Sequence, residues 1–344
     1  MKRFHGITAA CLILFAGLSA PVMAASCAAA PDPVASLDYG SRYTADSKTR
    51  SDLDEKASAE MDAALKPIDD FLRNLTDSAN AVYDKGADKR AIADCVVSQI
   101  ASWAAANALG DLQTDTANLT IGSRIAGFGL VLVQVLPYSK RKDDAATIKG
   151  WMTHLIHSQM AYWEEAAPVG ARQGNLRAWS ALAASATASF SDDAAMRAWA
   201  TWSVSYILCK ASDDGSLPQE MSRGKYALKY QLHAIAPLVV SMLLLDRQGI
   251  TLEPTCDHAI ERIVGFALAD LETGAASEKI TGTPQSFFDG TEKLDEFRLA
   301  WLEPYLLLNP TTNRDQAEAL VKKYRPMSYS KLGGNQSLIW KTGK

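Results

Sequence analysis

The segment from Asp214 to Tyr230, which reads DGSLPQEMSRGKYALKY, concentrates side chains suited to chemistry. Arg223 stands seven residues before Tyr230, which is about two helical turns, so both side chains would project from nearly the same helical face. A guanidinium binds a carboxylate through two parallel hydrogen bonds, and a tyrosine exchanges a proton when cations lower its pKa from about 10. The spacing fits proton transfer beside an anionic group, and it also fits an ordinary exposed pair.

Two carboxylates near this and a later segment, Glu220 and Glu303, define an alternative chemistry. A glycoside hydrolase needs a pair of carboxyl groups that flank the bond to be broken. The histidines His154 and His157 share one helical face, but no CxxC or HxxxH spacing occurs. We therefore expect no metal site.

The elements that position these residues are predicted to be helices. Between residues 52 and 84, apolar side chains recur at spacings of four and three, at Met61, Leu65, Ile68, Leu72 and Leu75. This is the period of an amphipathic helix. The same period recurs in residues 96–106, 148–163, 176–188, 196–208, 227–245, 260–271 and 317–324. The pattern predicts an all-α protein, with residues 126–135 as the only strand candidate and a buried helix as the alternative there.

The polar pairs between these stretches indicate short turns. Asp192-Asp193 and the segment 213–215 (DDG) are typical of helix ends and caps. About ten helices joined by short turns favour stacked helical hairpins in an arc or toroid, although no fixed-period repeat is present. Because no low-complexity linker occurs, we expect a single domain over residues 25–344.

The first residues have the pattern of an export signal. Lys2 and Arg3 precede an apolar run over residues 7–20, and small residues follow at Val22-Met23-Ala24. We predict a signal peptide over residues 1–24 and a periplasmic or secreted protein without membrane insertion after cleavage. A lipoprotein signal that ends at Cys27 is the alternative, but the residues before this cysteine lack the usual larger aliphatic side chain.

Export bears on the cysteines and on the charge. Cleavage would leave four cysteines, which permit three pairings, and we favour Cys27–Cys95 with Cys209–Cys256.

Loss of Lys2 and Arg3 would change the formal net charge from −4 to −6. This balance argues against nucleic acid as a partner, whereas a local basic cleft still permits an acidic ligand. We expect a monomer.

The segment 214–230 resembles the signature of the alginate lyase family, which contains the bacterial periplasmic mannuronate lyases. Further landmarks follow in the family's order: SRY at 41–43 with Asp46 and Arg50, Cys95 before Trp103, Asn175 with Trp179, KITG at 279–282, LAWLEPY at 299–305, Arg325-Pro326, and LGG at 332–334. The resemblance implies an incomplete α/α toroid with a deep cleft. It also implies a polysaccharide lyase that cleaves a 4-linked uronic-acid polymer by β-elimination without a metal or an organic cofactor.

The resemblance assigns roles to individual residues. Elimination removes the C5 proton of a uronate, and the adjacent carboxylate opposes this until it is neutralised. Arg223 and Asn175 match the positions that neutralise the carboxylate by charge-assisted hydrogen bonds, and Tyr230 matches the residue that takes and returns the proton. An ordinary helix cap is the alternative role for Asn175. The substrate-binding candidates are Arg42, Trp103, Tyr226, Lys331 and Arg325.

The chain departs from the family at one catalytic position, because the usual Asn-His pair is Asn175-Leu176 here. Tyr230 could act alone, since syn elimination of mannuronate or glucuronate needs only one residue as base and acid. His233, three residues after Tyr230 and thus a helical neighbour, could replace the missing histidine or be purely structural. In a third interpretation the chain has lost catalysis and only binds the polymer.

Overall fold

Helices make up most of residues 27–340, the part of the chain that this computed structural model describes. The α-helices are α1 (Glu55–Asn80), α2 (Lys89–Ala105), α3 (Asp115–Thr120), α4 (Gly122–Val135), α5 (Lys142–Ala161), α6 (Asn175–Ser191), α7 (Ala194–Leu208), α8 (Pro218–Met221), α9 (Ala227–Arg247), α10 (Thr255–Asp270), α11 (Ala275–Thr281), α12 (Leu302–Leu307), α13 (Arg314–Tyr324) and α14 (Gln336–Ile339). The prediction of an all-α protein is confirmed. The predicted signal peptide, residues 1–24, lies outside the described residues.

The helices form two layers. Helices α4, α6 and α9 pack side by side and are buried on nearly all sides. Helices α2, α5, α7 and α10 each leave part of their surface in solvent and cover the inner layer from outside. One continuous cluster of buried apolar side chains extends from Leu37 to Trp340, so both layers share a core.

Small side chains allow the inner helices to approach each other closely. A Cβ atom added to Gly122 of α4 would lie 2.4 Å from Oγ of Ser180 in α6, and one added to Gly129 would lie 3.0 Å from Cβ of Ala186. The alternation of glycine and apolar residues over 126–135 therefore belongs to a helix buried all round. The strand interpretation of this stretch is therefore wrong. The sequence was ambiguous here because a helix that is buried on every face has no polar side, and its sequence then lacks a helical period.

The predicted turns lie where the sequence indicates them. Asp192 adopts a left-handed conformation, with φ 56° and ψ 33°, and ends α6. Asp193 caps α7, because its side chain accepts a hydrogen bond from the backbone N–H of Met196 at 3.0 Å. The acidic pair thus reverses the chain between an inner and an outer helix.

Four short strands fasten the ends of the described chain. Strand β1 (Ser36–Leu37) pairs in parallel with β2 (Asp111–Leu112), and β3 (Ser328–Tyr329) pairs antiparallel with β4 (Gly334–Asn335). The first pair holds the N-terminal segment against the loop after α2. The second bends the C-terminal segment towards the inner helices.

Two helical segments, Asp115–Val135 and Gly224–Arg247, are long and apolar enough to cross a membrane by length and composition. In the structure, 78% and 83% of these windows are buried inside the protein. Their apolar character therefore has a sufficient explanation in their position in the inner layer.

Both predicted disulfides are confirmed. Cys27 is bonded to Cys95, which joins the N-terminal segment to α2. Cys209 is bonded to Cys256, which joins the end of α7 to the start of α10. The two bonds close loops with sequence separations of 68 and 47 residues, and loops of such length restrict the unfolded chain strongly.

Removal of the N-terminal bond in a Cys27→Ser/Cys95→Ser variant should lower the free energy of unfolding by about 2–4 kcal/mol. Urea unfolding of the oxidised wild type and the variant measures this difference. Addition of reductant should shift the wild-type midpoint but shift that of the variant less. Equal midpoints for the oxidised wild type and the variant would contradict the prediction.

Candidate active site

A cleft with a cavity volume of about 360 Å³ lies where the first turns of α6 and α9 meet the loop over residues 41–53. Predicted residues that line it are Arg42, Asn175, Arg223, Tyr226, Tyr230, His233 and Lys331. A second cavity of about 230 Å³ shares Arg50, Asn175, Leu176 and Arg223 with the first. The fold therefore brings seven of the nine predicted site residues to one place.

Arg223 and Tyr230 are in direct contact. The guanidinium lies 3.9 Å from the centre of the Tyr230 ring. Arg223 precedes α9 rather than lying on it, because Gly224, with φ 55°, begins a 3-10 turn that leads into the helix. The predicted proximity is confirmed, although a turn rather than a continuous helix produces it.

The 41–53 loop holds the Arg223 side chain in place. Its Nε donates a hydrogen bond to the carbonyl oxygen of Thr49 at 3.1 Å, and its Nη2 donates to that of Arg50 at 2.8 Å. A guanidinium has five N–H donors in one plane. The remaining donors are therefore available to an anion in the cleft.

Tyr43, on the same loop, is hydrogen-bonded to Tyr230 through the two hydroxyl groups. The Arg223 guanidinium also lies 5.1 Å from the centre of the Tyr43 ring. Sequence reasoning identified Tyr43 only as part of a landmark motif, because 187 residues separate it from Tyr230. No local spacing encodes a contact over that distance.

The pKa of Tyr230 is raised in the structure, whereas the sequence led us to expect a cationic cleft that lowers it. Burial raises the pKa of Tyr230, and the nearby Arg223 and Arg42 offset only part of this effect. Tyr43 adds to the increase through its hydrogen bond. In the ligand-free protein, Tyr230 is therefore a neutral phenol at neutral pH.

Asn175 is positioned by a buried carboxylate. Its backbone N–H and its Nδ2–H donate hydrogen bonds to the two oxygens of Glu220, each at 2.7 Å. Burial raises the pKa of Glu220 to about 7, and the bonds from Asn175 oppose that increase. Because Gly174 is the N-cap of α6 and Asn175 the first helical residue, the plain cap role for Asn175 is wrong.

His233 is bound to an aromatic neighbour rather than to Tyr230. Nε1–H of Trp179 donates a hydrogen bond to Nε2 of His233 at 2.9 Å. The Tyr230 and His233 rings are in edge contact, with centroids 6.3 Å apart. Burial and the surrounding cations, foremost Lys331 and Arg298, lower the pKa of His233 to about 3.

Three cations that line the cleft have carboxylate partners. Arg42 pairs with Asp62 at 3.0 Å and Lys229 pairs with Glu292. Arg124 binds Asp69 through two hydrogen bonds of 3.0 and 2.7 Å. No local sequence pattern predicts these pairs, since each joins separate elements.

Lys331 also lines the cleft, but within residues 27–340 it has no carboxylate at ion-pair distance. Burial and the proximity of Arg124 lower the pKa of Lys331 to about 7. A bound anion would restore its charge, because an opposite charge favours the ammonium form.

The structure corrects two predicted substrate contacts. Trp103 is fully buried, packs 4.6 Å from the ring of Phe71, and donates its indole N–H to the carbonyl oxygen of Pro31 at 2.9 Å. Arg325 lies outside the cleft and binds Glu303 at 3.0 and 2.8 Å. Trp103 is thus part of the core, and Arg325 is an ion-pair partner on the C-terminal segment.

The carboxylates of the alternative chemistry do not form a pair. Glu220 is bound to Asn175 and Glu303 to Arg325, and neither lines the cleft. A glycoside hydrolase requires two carboxyl groups that flank the bond to be broken. Glu220 and Glu303 therefore do not provide such a pair.

One group within residues 27–340 has the donor set for a metal ion, namely Glu253, His258 and Glu261. It lies outside the cleft. Glu261 already accepts hydrogen bonds from the backbone N–H groups of Thr311 at 2.9 Å and Thr312 at 2.7 Å. This carboxylate therefore caps the start of the 311–313 turn.

A two-layered helical fold whose cleft presents a tyrosine, an arginine and an amide defines the class of helical polysaccharide lyases. The chain belongs to the alginate lyase family, whose sequence model matches residues 21–276. It is a polysaccharide lyase that acts on a uronic-acid polymer.

Relatives and solved structures agree with this assignment. The chain is 26% identical to an alginate lyase of Pseudomonas syringae pv. syringae (strain B728a) over 92% of this chain and 83% of that protein. It is 26% identical to one of Pseudomonas aeruginosa (strain LESB58) over 92% and 86%.

Among solved structures, a variant of alginate lyase A1-III complexed with tetrasaccharide matches with a TM-score of 0.77, 18% identity, and coverage of 92% of this chain and 86% of that one. The enzyme from Sphingomonas species A1 matches with a TM-score of 0.75, 18% identity, and coverage of 91% and 86%. The predicted α/α toroid is confirmed.

A Gly174→Ala substitution should impair activity through Asn175. The added Cβ would lie 2.5 Å from Oε1 of Glu220, which would displace the carboxylate that holds Asn175. We expect kcat/KM to fall about 10²-fold, the cost of a misplacement of about 1 Å in an active site. Gly170→Ala is the matched control, since its Cβ would meet only Oε1 of Gln219 at an ordinary 3.6 Å. Equal activity of the two variants would contradict this role of Gly174.

Proposed function

We propose that this protein cleaves a 4-linked polymer of mannuronate or glucuronate by syn β-elimination, with Tyr230 as both base and acid. The observation that carries the proposal is the contact of the Tyr230 ring with the Arg223 guanidinium at 3.9 Å, inside a cleft that also contains the Asn175 amide. These are the groups needed to move a proton next to a substrate carboxylate.

The reaction begins with the substrate carboxylate between Arg223 and Asn175. Charge-assisted hydrogen bonds from both stabilise the negative charge that develops on this carboxylate as the C5–H bond breaks. The phenolate of Tyr230 takes the C5 proton, and the electron pair of the broken C5–H bond moves onto the carboxylate that Arg223 and Asn175 bind. This pair then forms the C4–C5 double bond as the C4–O4 bond breaks, and O4 receives the proton from Tyr230, which returns to its phenolate form.

The phenolate must first form from the neutral Tyr230 of the ligand-free protein. Tyr43 offers the path, because its hydroxyl is hydrogen-bonded to that of Tyr230 and its side chain is only half-buried. A proton can pass along this pair to solvent, while Arg223 opposes the increase in the pKa of Tyr230. The two tyrosines therefore act as one proton-transfer unit.

Leu176 supports the choice of substrate. It lines the cleft next to Asn175 and carries no group that exchanges a proton. Mannuronate and glucuronate carry the C5 hydrogen and O4 on the same face, so that one residue on that face suffices. Guluronate carries them on opposite faces and needs a second catalyst, which the usual histidine at this position would be suited to provide.

The cellular setting that we propose follows from the N-terminal pattern. Lys2, Arg3 and the apolar run over residues 7–20 support export to the periplasm, and two disulfides are consistent with an oxidising compartment. In that setting the enzyme acts as a soluble monomer on an acidic polysaccharide and requires no cofactor. Fractionation of cells that express the full chain tests the location.

Incubation with polymannuronate, polyglucuronate and polyguluronate should generate unsaturated ends and reducing ends together from the first two polymers only. Ultraviolet absorbance follows the unsaturated ends, and a reducing-sugar assay follows the other product. Reducing ends without absorbance would indicate a hydrolase. Oligosaccharide binding without either product would indicate a protein that binds the polymer without cleaving it, the interpretation that Leu176 taken alone favours. Strong cleavage of polyguluronate would overturn the syn mechanism.

A Tyr230→Phe substitution should lower kcat about 10²–10⁴-fold, the usual contribution of a general acid–base group. Tyr324→Phe on α13, outside the cleft, is the control and should retain activity. Thermal unfolding of both variants separates a chemical effect from loss of folding. Activity of Tyr230→Phe close to that of the wild type would exclude Tyr230 as the catalyst.

The rate should increase from neutral towards alkaline pH, because the phenolate is required and burial raises the pKa of Tyr230. Arg223→Gln should move this increase to higher pH, because the guanidinium opposes the effect of burial. Arg197→Gln removes an equal charge from α7, outside the cleft, and should leave the profile unchanged. A wild-type rate that falls above neutral pH while the protein stays folded would contradict this assignment.

A further inference from the structure

His233 is held in one tautomer by its neighbour. The indole nitrogen of Trp179 carries a hydrogen and can only donate, so Nε2 of His233, 2.9 Å away, must be an unprotonated acceptor. A neutral imidazole then carries its hydrogen on Nδ1. Because Trp179 is almost fully buried, this hydrogen bond has no competition from bulk water.

This tautomer changes what His233 can do. Its acceptor nitrogen is occupied, so the ring has no free lone pair with which to take a proton from a sugar. Its Nδ1–H has no hydrogen-bond partner within residues 27–340, while the half-buried ring lines the cleft. The ring therefore presents a donor rather than a base to the ligand.

Lys331 is a second donor that lines the same cleft and has no carboxylate at ion-pair distance in the described part of the chain, whereas the nearby Arg124 is already bound to Asp69. After burial, Lys331 has the largest single effect in lowering the pKa of His233. A carboxylate can accept hydrogen bonds from two such donors at once.

The position of these donors along α9 indicates which sugar they reach. Arg223 precedes the helix, Tyr230 is its fourth residue, and His233 lies three residues further, about 4.5 Å along the axis. Along the chain, Arg223 therefore precedes Tyr230 and His233 follows it, and both contact the Tyr230 ring, Arg223 at 3.9 Å from its centre and His233 in edge contact. A carboxylate at His233 belongs to a different sugar from the one whose carboxylate binds Arg223.

We propose that His233 and Lys331 form a second carboxylate-binding subsite, in which the Nδ1–H of His233, fixed by Trp179, and the Lys331 ammonium bind a uronate neighbouring the one that is cleaved. The proposal rests on the proposed function for the identity of the ligand. It makes His233 a determinant of substrate binding rather than a substitute for the missing base, and it requires a substrate with at least two consecutive uronates.

The first experiment observes the imidazole directly, without any reference to activity. In protein with ¹⁵N-labelled histidine, long-range ¹H–¹⁵N spectra should show His233 as a neutral Nδ1–H tautomer throughout about pH 5–8, the range in which an ordinary histidine titrates. Trp179→Phe should free Nε2 and allow the neutral Nε2–H tautomer to form beside the Nδ1–H tautomer. His233→Asn identifies the signal, and His154→Asn, on the exposed face of α5, is the matched control. A wild-type ring that titrates near pH 6.5, or one with its hydrogen on Nε2, would overturn the proposal.

The second experiment separates binding from catalysis with mannuronate oligosaccharides of increasing length. His233→Leu should raise KM for longer oligomers about 10–100-fold, the effect of losing a hydrogen bond to a charged group, while kcat changes little. His233→Asn, whose amide N–H can occupy the position of Nδ1–H, should retain most of the affinity. Lys331→Met should raise KM in the same way, and the double variant should be less impaired than the two separate effects predict. A fall in kcat of more than about 10²-fold in His233→Leu with unchanged KM would instead indicate a catalytic base.

Calorimetric binding of the same oligomers distinguishes the two proposals. If no polymer yields unsaturated ends, the proposed function fails. The subsite then still predicts that oligomannuronate binds the wild type, shifts the His233 Nδ1 signal, and binds His233→Leu at least about tenfold more weakly. Binding that is equally strong in both proteins would refute the subsite whatever the activity.

Discussion

The buried carboxylate of Glu220 is the constraint on which the geometry of the site depends. It accepts hydrogen bonds from the backbone and the side chain of Asn175 at the start of α6, and it lies only three residues before Arg223. A buried carboxylate without partners would be costly, so the start of α6 and the signature segment must meet for the fold to be stable. The same contact places an amide and a guanidinium beside one cleft.

A second constraint is the desolvation that the inner helices impose on the groups of the cleft. Burial raises the pKa of Tyr230 and lowers those of His233 and Lys331. All three groups are therefore biased towards their neutral forms in the absence of ligand. An anionic substrate reverses part of this bias, because its charge favours the ammonium form of Lys331. The roles that we propose for Tyr230 and Lys331 thus depend on the substrate in opposite ways. Binding by Lys331 would gain from the negative charge of the substrate, whereas formation of a Tyr230 phenolate would not.

Leu176 stands where the family resemblance predicts a histidine, and it lies beside Asn175 at the start of α6. Leu176 extends the apolar lining of the cleft, and Asn175 next to it keeps its partner Glu220. Trp179 occupies the acceptor nitrogen of the imidazole at position 233, which is why we propose a binding role for His233 rather than the role of a base. Tyr230, with Tyr43 as its hydrogen-bond partner, therefore remains the group placed for proton transfer.

Features that depend on residues close in the chain follow from the amino-acid sequence alone: the helices, the acidic turn between α6 and α7, and the nearness of Arg223 to Tyr230. The pairing that we favoured among the three permitted by four cysteines is also the one in the structure. Only the tertiary structure decided that Tyr43 binds Tyr230 across 187 residues, that Trp103 packs in the core, and that Trp179 fixes the tautomer of His233. Short-range spacing sets which face of a helix a side chain occupies, whereas its partner and its protonation depend on which distant segments exclude water from it.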